Sequence, residues 1–334
     1  MIVEVMGVGG LIVDYILSVS DAFLSTITVQ KGDVQDIEEE QLRALIQRSG
    51  TKPAIVPGGS AANVIKGLAR FGRKVSLLGR LGKDSIGAFY AEEMAKRNVF
   101  IETIFSEQPT AQLLYLVTAD GQRTFRVFRG ASSELSTRDL DHKHFSGVRI
   151  VHIEGYALFN GDLAERAMHL AKENNALVSF DLANFAVVQR FRPLIFHLLE
   201  NYVDIVFCNE EEARVFSHTN EKEACKQLGS LCQVAVVCLG GRGCFVKKGK
   251  EFIYFPAYLI PSPLDTTGAG DLFASGFLHG LLSGKSIEEC AHYGSLAGAA
   301  VIQELGAEIS DSRWRDIFSN LNRLKDTPEQ AFSS

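Results

Sequence analysis

Apolar runs rich in Val and Ile alternate along the chain with stretches in which apolar residues recur at helical spacing. The alternation predicts strands at residues 2–9, 75–79, 149–153, 176–181, 203–208 and 234–239. It predicts helices at 60–71, 85–97, 161–173, 187–199, 210–217 and 221–230. Strands that alternate with helices build βαβ units around a mainly parallel sheet covered on both faces. Such crossovers are nearly always right-handed, so the expected architecture is a doubly wound α/β sandwich of three layers. The last third is helical, over 269–283 and 286–304 on either side of Gly284, and residues 325–334 read as a frayed tail.

Two segments break this rhythm. Residues 111–118 and 123–128 are strand-like and flank Asp120-Gly121, a dipeptide suited to the positive φ angles of a hairpin turn. An antiparallel hairpin does not belong inside a parallel sheet. Residues 15–34 also read as extended pieces around a short turn at Asp21-Ala22-Phe23-Leu24. The two segments, about 15–36 and 108–130, are expected to form a small β-sheet lid inserted in one domain over 1–324. An antiparallel extension of the main sheet is the alternative. Alternation along the hairpin puts Leu114 and Leu116 opposite Phe125 and Val127, which predicts one apolar face for the lid.

Composition narrows the function. The chain has 334 residues, 46% of them hydrophobic and 22% charged, which suits a folded protein and excludes disorder as its main state. The net charge of -6 argues against nucleic acid as the main partner, because phosphate contacts need a basic surface. No apolar run approaches the roughly 18 residues that span a bilayer, so no membrane partner is expected. Met1-Ile2-Val3-Glu4 shows no basic n-region of a signal peptide. The six cysteines form no C-x-x-C pair and read as buried free thiols, and no N-x-[ST] sequon occurs. A cytoplasmic location is the expectation. The eight histidines have no metal-like spacing.

Four short motifs carry candidate chemistry. Asp265-Thr266-Thr267-Gly268-Ala269-Gly270-Asp271 enters an apolar helix. Two glycines at a helix start let several N–H groups point outward, and the helix dipole adds about half a positive charge. Together they make an anion hole for a phosphoryl group. Asp271 would lie in the first turn beside that anion, where it could take the proton of an attacking hydroxyl; a plain N-capping turn is the alternative. Gly58 and Gly59 let a ligand approach the backbone ahead of the helix that carries Asn63, whose amide could grip a hydroxyl. Asn209-Glu210-Glu211-Glu212 follows the strand 203–208, where acidic groups can hold Mg²⁺ through water, or simply favour a helix start. Leu239-Gly240-Gly241-Arg242-Gly243 stands at another strand end and could floor a nucleotide base, or form only a turn.

Two other matches fail. Gly7-Val8-Gly9-Gly10 lacks the third glycine of a dinucleotide fingerprint, where Ile12 stands. Gly284-Lys285-Ser286 imitates a P-loop, but the required glycine is His279 and a helix precedes it.

In this order the four motifs resemble the ribokinase-like (PfkB) family of carbohydrate and nucleoside kinases over about residues 2–310, most closely its bacterial adenosine-kinase-like members. The resemblance implies a sandwich with a small β lid. It implies that Asp271 is the catalytic base and that Gly268, Ala269 and Gly270 form the anion hole, with Thr266 on the nucleotide side. Asn209 and Glu212 match an N-x-x-E element that positions Mg²⁺ through water. Asp14 matches an acidic residue that grips substrate hydroxyls, and Gly58, Gly59 and Asn63 would line the same pocket. Arg129 matches a lid-side arginine, and Gly241 and Gly243 would border the adenine of ATP. The implied reaction is ATP- and Mg²⁺-dependent phosphorylation of a CH₂OH group on a nucleoside such as adenosine, or on a free sugar such as ribose or fructose. A catalytically silent ligand-binding member is a further alternative. A K⁺ requirement stays open, as does the choice between a monomer and a homodimer through the lid. Two departures concern the acceptor: Gly10 stands where adenosine kinases carry Asn, and Asp181-Leu182-Ala183-Asn184 resembles the sugar-kinase branch.

Overall fold

The structure is a computed structural model and describes residues 3–325; the tail after Lys325 and Ile2 of the first expected strand lie outside the described residues. Its strands are β1 (Val5–Val8), β2 (Ile12–Ser18), β3 (Val34–Asp36), β4 (Ala54–Gly58), β5 (Val75–Gly82), β6 (Val99–Ser106) and β7 (Ala111–Val117). They continue with β8 (Arg123–Phe128), β9 (Ile150–Glu154), β10 (Leu177–Asp181), β11 (Ile205–Asn209), β12 (Val234–Cys238), β13 (Cys244–Lys248) and β14 (Glu251–Phe255). Nine of them form one sheet in the order β14-β13-β12-β11-β10-β9-β1-β5-β6. From β12 to β6 every neighbour is parallel, and β13 and β14 close one edge as an antiparallel hairpin.

The βαβ units cover both faces of this sheet, as the periodicity predicts. One face packs on the helices Leu163–Glu173 and Phe185–Asn201 through Met6, Val151, Val178 and Val206. The other packs on Ser60–Arg70 and Ala269–Leu282 through Val5, Leu77, Ile150 and Phe207. Neighbouring residues of a strand serve opposite cores, which is why these strands read as unbroken apolar runs. The chain runs outward from β1 in both directions, to β5 and β6 on one side and to β9 and beyond on the other. A crevice therefore opens at the carboxyl end of β1, where ligands bind in folds of this kind.

The second sheet is separate, with five strands in the order β3-β8-β7-β2-β4. It contains the expected hairpin, β7 and β8, but is larger than the expected lid. It takes in β4, and the helix Glu39–Ser49 covers its outer face. The expected turn at Asp21 is a short helix, Asp21–Ser25, whose first turn is capped by Ser20.

That covering helix corrects the expected lid face. Leu114 and Leu116 are fully buried with Leu17, Leu42 and Leu45 under the helix Glu39–Ser49. Register pairs Leu113 with Val127 and Tyr115 with Phe125, so Leu113 and Tyr115 share the inner face with Phe125 and Val127. The sequence reading assigned alternate residues of β7 to the wrong face because it did not include the helix that needs Leu114 and Leu116 as its floor.

Candidate active site

A cavity of about 870 Å³ lies between the carboxyl ends of the main-sheet strands and the inner face of the smaller sheet. Its floor is built by strand ends, with Gly9 and Gly10 after β1, Glu154 on β9, Asp181 on β10 and Asn209 on β11. The loop Thr266–Gly268 and the start of the helix Ala269–Leu282 close one side.

That helix start has the form the glycines suggest. Gly268 is its N-cap at φ 74°, and a Cβ there would fall 2.5 Å from the Cβ of Ala307. Glycine is therefore required both by conformation and by space. Thr267 N–H and Oγ1 turn back onto Asp265 at 2.8 and 2.7 Å. Among the described residues the N–H groups of Gly268, Gly270 and Asp271 have no protein acceptor. All three residues line the cavity, which leaves these N–H groups available to an anion there.

Asp271 sits one residue further along and lines the cavity. Ser60 Oγ donates to its Oδ1 and Asn63 Nδ2 to its Oδ2, both at 2.8 Å. Burial pushes its pKa up, while Asn63, Ser60 and the charge of Lys66 pull it down. Ser60 and Asn63 come from the helix that follows Gly59 (φ 101°), where a Cβ would fall 2.3 Å from Gly10 O.

The remaining expected residues fall into three groups. Gly59, Asn63, Arg129, Asn209, Glu212, Thr266 and Ala269 line the cavity. Asp14 and Gly58 lie just beneath the wall, with Gly58 packed so closely on the Asp14 carboxylate that a Cβ would fall 2.1 Å from Oδ2. Tyr115 donates to that oxygen at 3.2 Å, whereas Asp14 Oδ1 is buried without a partner, as is Asn63 Oδ1. Gly241 and Gly243 sit on the turn after β12, where the cavity is reached by Gly240. Arg129 is exposed at the mouth, donates to Asp36 at 3.0 Å and lies 5.4 Å over the ring of Phe159.

Four further residues line the cavity that were not among the expected site residues, Asp181 having been noted only for its likeness to the sugar-kinase branch. Glu154 accepts the N–H groups of Gly10 and Ala61 on its two oxygens, each at 2.8 Å. Burial pushes its pKa up to about 7. Among the described residues Asp181 accepts only the Ala183 N–H, and it is raised well above the usual range by burial and by the charge of Glu212. Both stand at carboxyl ends of parallel strands, and that position was the available signal. Arg123 reaches from the lid, pairs with Asp265 at 2.7 Å and donates to the hydroxyls of Thr266 and Thr267. It shares its parity along β8 with Phe125 and Val127, which points it inward. Tyr156 lines the cavity beside them and accepts from Asn184 at 2.9 Å.

Asn209 caps the helix Glu210–Ser217, and its own N–H and amide donate to Glu212 at 2.9 and 2.5 Å. Burial pushes Glu212 up to about 7. Among the described residues no Lys, Arg or His lies within ion-pair distance of Glu154, Asp181, Glu212 or Asp271, and no group of three His, Cys, Asp or Glu is arranged to bind a metal directly. This donor set, carboxylates without counter-cations beside free backbone N–H groups, fits a hydrated divalent ion shared with the phosphates of a nucleotide.

Comparison with known proteins identifies the family. The structure aligns with that of an adenosine kinase from Sinorhizobium meliloti at a TM-score of 0.87 and 30% identity, covering 96% of this chain and 100% of that one. A probable sugar kinase from Rhizobium etli aligns at a TM-score of 0.87 and 31% identity over 96% of this chain and 98% of that one. By sequence, the 5-dehydro-2-deoxygluconokinase of Geobacillus thermodenitrificans is 25% identical over 266 residues, 73% of this chain and 78% of that protein. Residues 32–314 match the profile of the pfkB family of carbohydrate kinases, and the chain, a phosphotransferase, belongs to that family.

Proposed function

We propose that the protein transfers the γ-phosphoryl group of ATP to a CH₂OH hydroxyl of a purine nucleoside. The observation that carries the acceptor is the inner lid face, where Leu113, Tyr115, Phe125 and Val127 present apolar area opposite the polar floor of Asn63 and Asp271. A sugar needs only the floor. A nucleoside also uses the lid face for its base.

In this reading Asp271 accepts the hydroxyl proton as the oxygen attacks the γ-phosphorus and the bond to the β-phosphate oxygen breaks. The N–H groups of Gly268, Gly270 and Asp271 and the guanidinium of Arg123 face the phosphoryl oxygens. Bound Mg²⁺ supplies neutralisation of the triphosphate charge, and Asn209, Glu212 and Asp181 would hold it through water. Asp14, Gly59 and Asn63 orient the acceptor. The lid excludes the water that would otherwise hydrolyse ATP.

One observation favours a second acceptor. Arg190 stands at the cavity mouth 5.2 Å from the Phe159 ring centroid, with no carboxylate at ion-pair distance among the described residues, near Arg129. Two guanidiniums there suit an acceptor with a carboxylate, such as the substrate named for the 5-dehydro-2-deoxygluconokinase relatives. Burying about 100 Å² of apolar base contributes about 2.5 kcal/mol. The side-chain contact that Gly10 cannot make costs about 1 kcal/mol. The difference, about 1.5 kcal/mol, is roughly tenfold. An ADP-release assay over adenosine, inosine, ribose, fructose and 5-dehydro-2-deoxygluconate should therefore give a kcat/KM for a purine nucleoside at least about tenfold above the free sugars. A sugar or sugar acid as the best acceptor would overturn the nucleoside assignment and leave the phosphotransfer chemistry in place.

A further inference from the structure

Lys66 is a basic side chain buried beneath the acceptor end of the cavity, only 6% exposed. It lies one turn past Asn63 on the helix Ser60–Arg70, among the buried apolar residues Ala62, Val64, Ile65 and Leu68. A buried ammonium is costly unless it is paired and hydrogen-bonded. Lys66 Nζ donates to Pro57 O at 2.6 Å and pairs with Glu308 at 2.7 Å.

Both partners lead to the site. Pro57 precedes Gly58, which packs on the Asp14 carboxylate, and Tyr90 donates to Gly58 O at 3.0 Å. Glu308 follows Gly306 and Ala307. Gly306 N–H donates to Asp265 Oδ2 at 2.8 Å, and Ala307 packs on Gly268 of the anion hole. The ammonium therefore bridges the acceptor turn and the phosphate loop.

We propose that Lys66 is a positioning residue: held between Pro57 and Glu308, its buried charge keeps Asp14 and Asp271 in their working ionisation state and ties the acceptor turn to the phosphate loop. The proposal rests on the reading of Asp271 as the base. The groups that interact with Asp14 are Tyr115, Tyr90, Lys66, Asp271 and Glu308, and those that interact with Asp271 are Ser60, Asn63, Lys66, Asp14, Glu154, Asp181, Tyr115 and Tyr156; Glu308 itself also meets Arg97 at 3.4 Å. Burial pushes Asp14 up to about 7, Lys66 pulls it down and Glu308 pushes it up. The two members of the ion pair thus act on Asp14 with opposite signs.

The test is the pH dependence of kcat/KM with the best acceptor, in Lys66→Met and Glu308→Gln. Lys66→Met should move the acid limb up by about one pH unit. Glu308→Gln keeps an oxygen for the ammonium and should move the limb down. A merely structural pair would lower the rate in both variants and leave the limb in place. The double variant Lys66→Met/Glu308→Leu removes both charges, while Arg97, the other partner of Glu308, keeps Glu93 at 2.7 Å; its limb should still move up, because Lys66 reaches the acceptor turn directly. Thermal unfolding against pH without ligand gives the same ordering free of activity. The pH at which Tm stops falling should rise in Lys66→Met and drop in Glu308→Gln. This second readout separates failure of the base assignment from failure of the proposal. Unmoved or reversed limbs and plateaus in both variants overturn it.

Discussion

Replacing Asp271 with Asn separates catalysis from stability in opposite directions. The amide keeps the shape of the carboxylate and removes its basicity. Loss of a general base costs about 10²–10⁴ in rate, or about 3–5.5 kcal/mol of transition-state stabilisation. The cost to folding is far smaller. The amide oxygen can keep the Ser60 bond, and the new NH₂ group meets Asn63, whose Oδ1 is now buried without a partner. Turning the Asn63 amide over restores a donor–acceptor pair, so the net change is within about 1 kcal/mol.

Linkage fixes the pH dependence of that small term. Burial raises Asp271 in the folded state. A carboxylate whose folded pKa is raised contributes stability at low pH and loses it as pH rises through the folded pKa. The amide does not titrate, so the Tm of Asp271→Asn relative to wild type should become more favourable as pH rises from the ordinary carboxylate range through the folded pKa of Asp271, and level off above it. Steady-state ADP release and differential scanning calorimetry on the same preparations measure both halves. Near-wild-type turnover would refute the base assignment. A Tm difference independent of pH would refute the burial argument.

Other expected outcomes follow from the same geometry. Glu212→Gln should raise the Mg²⁺ concentration for half-maximal rate, whereas Glu211→Gln, at an exposed position, should leave a Mg²⁺ titration unchanged. Arg123→Met should lower kcat by about 10²–10³ with less effect on the acceptor KM, because its guanidinium faces the phosphate loop. Leu113→Asp should raise the KM for a nucleoside more than for ribose. Leu116→Ala should instead destabilise the protein by about 2–5 kcal/mol in urea unfolding, because Leu116 is a core residue under the lid helix.

Six strands of the large sheet, β1, β5 and β9 to β12, were legible because they are buried on both faces, and the helices between them carry one apolar face; β6, β13 and β14, at or beside its edges and half-exposed, were not read as strands. The helix Glu210–Ser217 was read to the residue because Asn209 and three glutamates mark its start. The second sheet was legible only where a turn announced it, at Asp120-Gly121. The helix Glu39–Ser49 shows only two buried residues, Leu42 and Leu45, in a polar stretch, so periodicity was too sparse to reveal it. That omission led directly to the wrong face for Leu114 and Leu116. In the site, glycine-rich turns announced Asp271, Gly59 and Gly268 by themselves. Glu154 and Arg123 carry no local motif; each acts through residues 93 and 142 or more positions away, Ala61 in one case and Asp265 in the other.

The crevice carboxylates, expected and unexpected alike, carry a cost to folding. Asp14, Glu154, Asp181, Glu212 and Asp271 are gathered around one cavity, and burial pushes each of them up. Such a cluster opposes folding near neutral pH: Lys66 offsets part of the cost at Asp14 and Asp271, but Glu154, Asp181 and Glu212 must either stay protonated or be charged without a cation at ion-pair distance among the described residues. Elsewhere the chain avoids that arrangement: Asp139 is clasped by Arg80 at 2.7 Å and Asp204 by Lys172 at 2.7 Å. A sequence that neutralises buried carboxylates on its structural faces and leaves them bare in one crevice is set up for charge that arrives with a ligand. In the proposed reading, Mg²⁺ bound with a nucleotide would meet that need at Asp181 and Glu212. Adding Mg²⁺-ADP should therefore raise Tm more at pH 8 than at pH 5.5, whereas a ligand bound by hydrogen bonds alone would give the same increment at both. An increment that is equal or smaller at pH 8 would mean that the crevice carboxylates keep their protons when the nucleotide is bound, and that the metal is held by the phosphates alone.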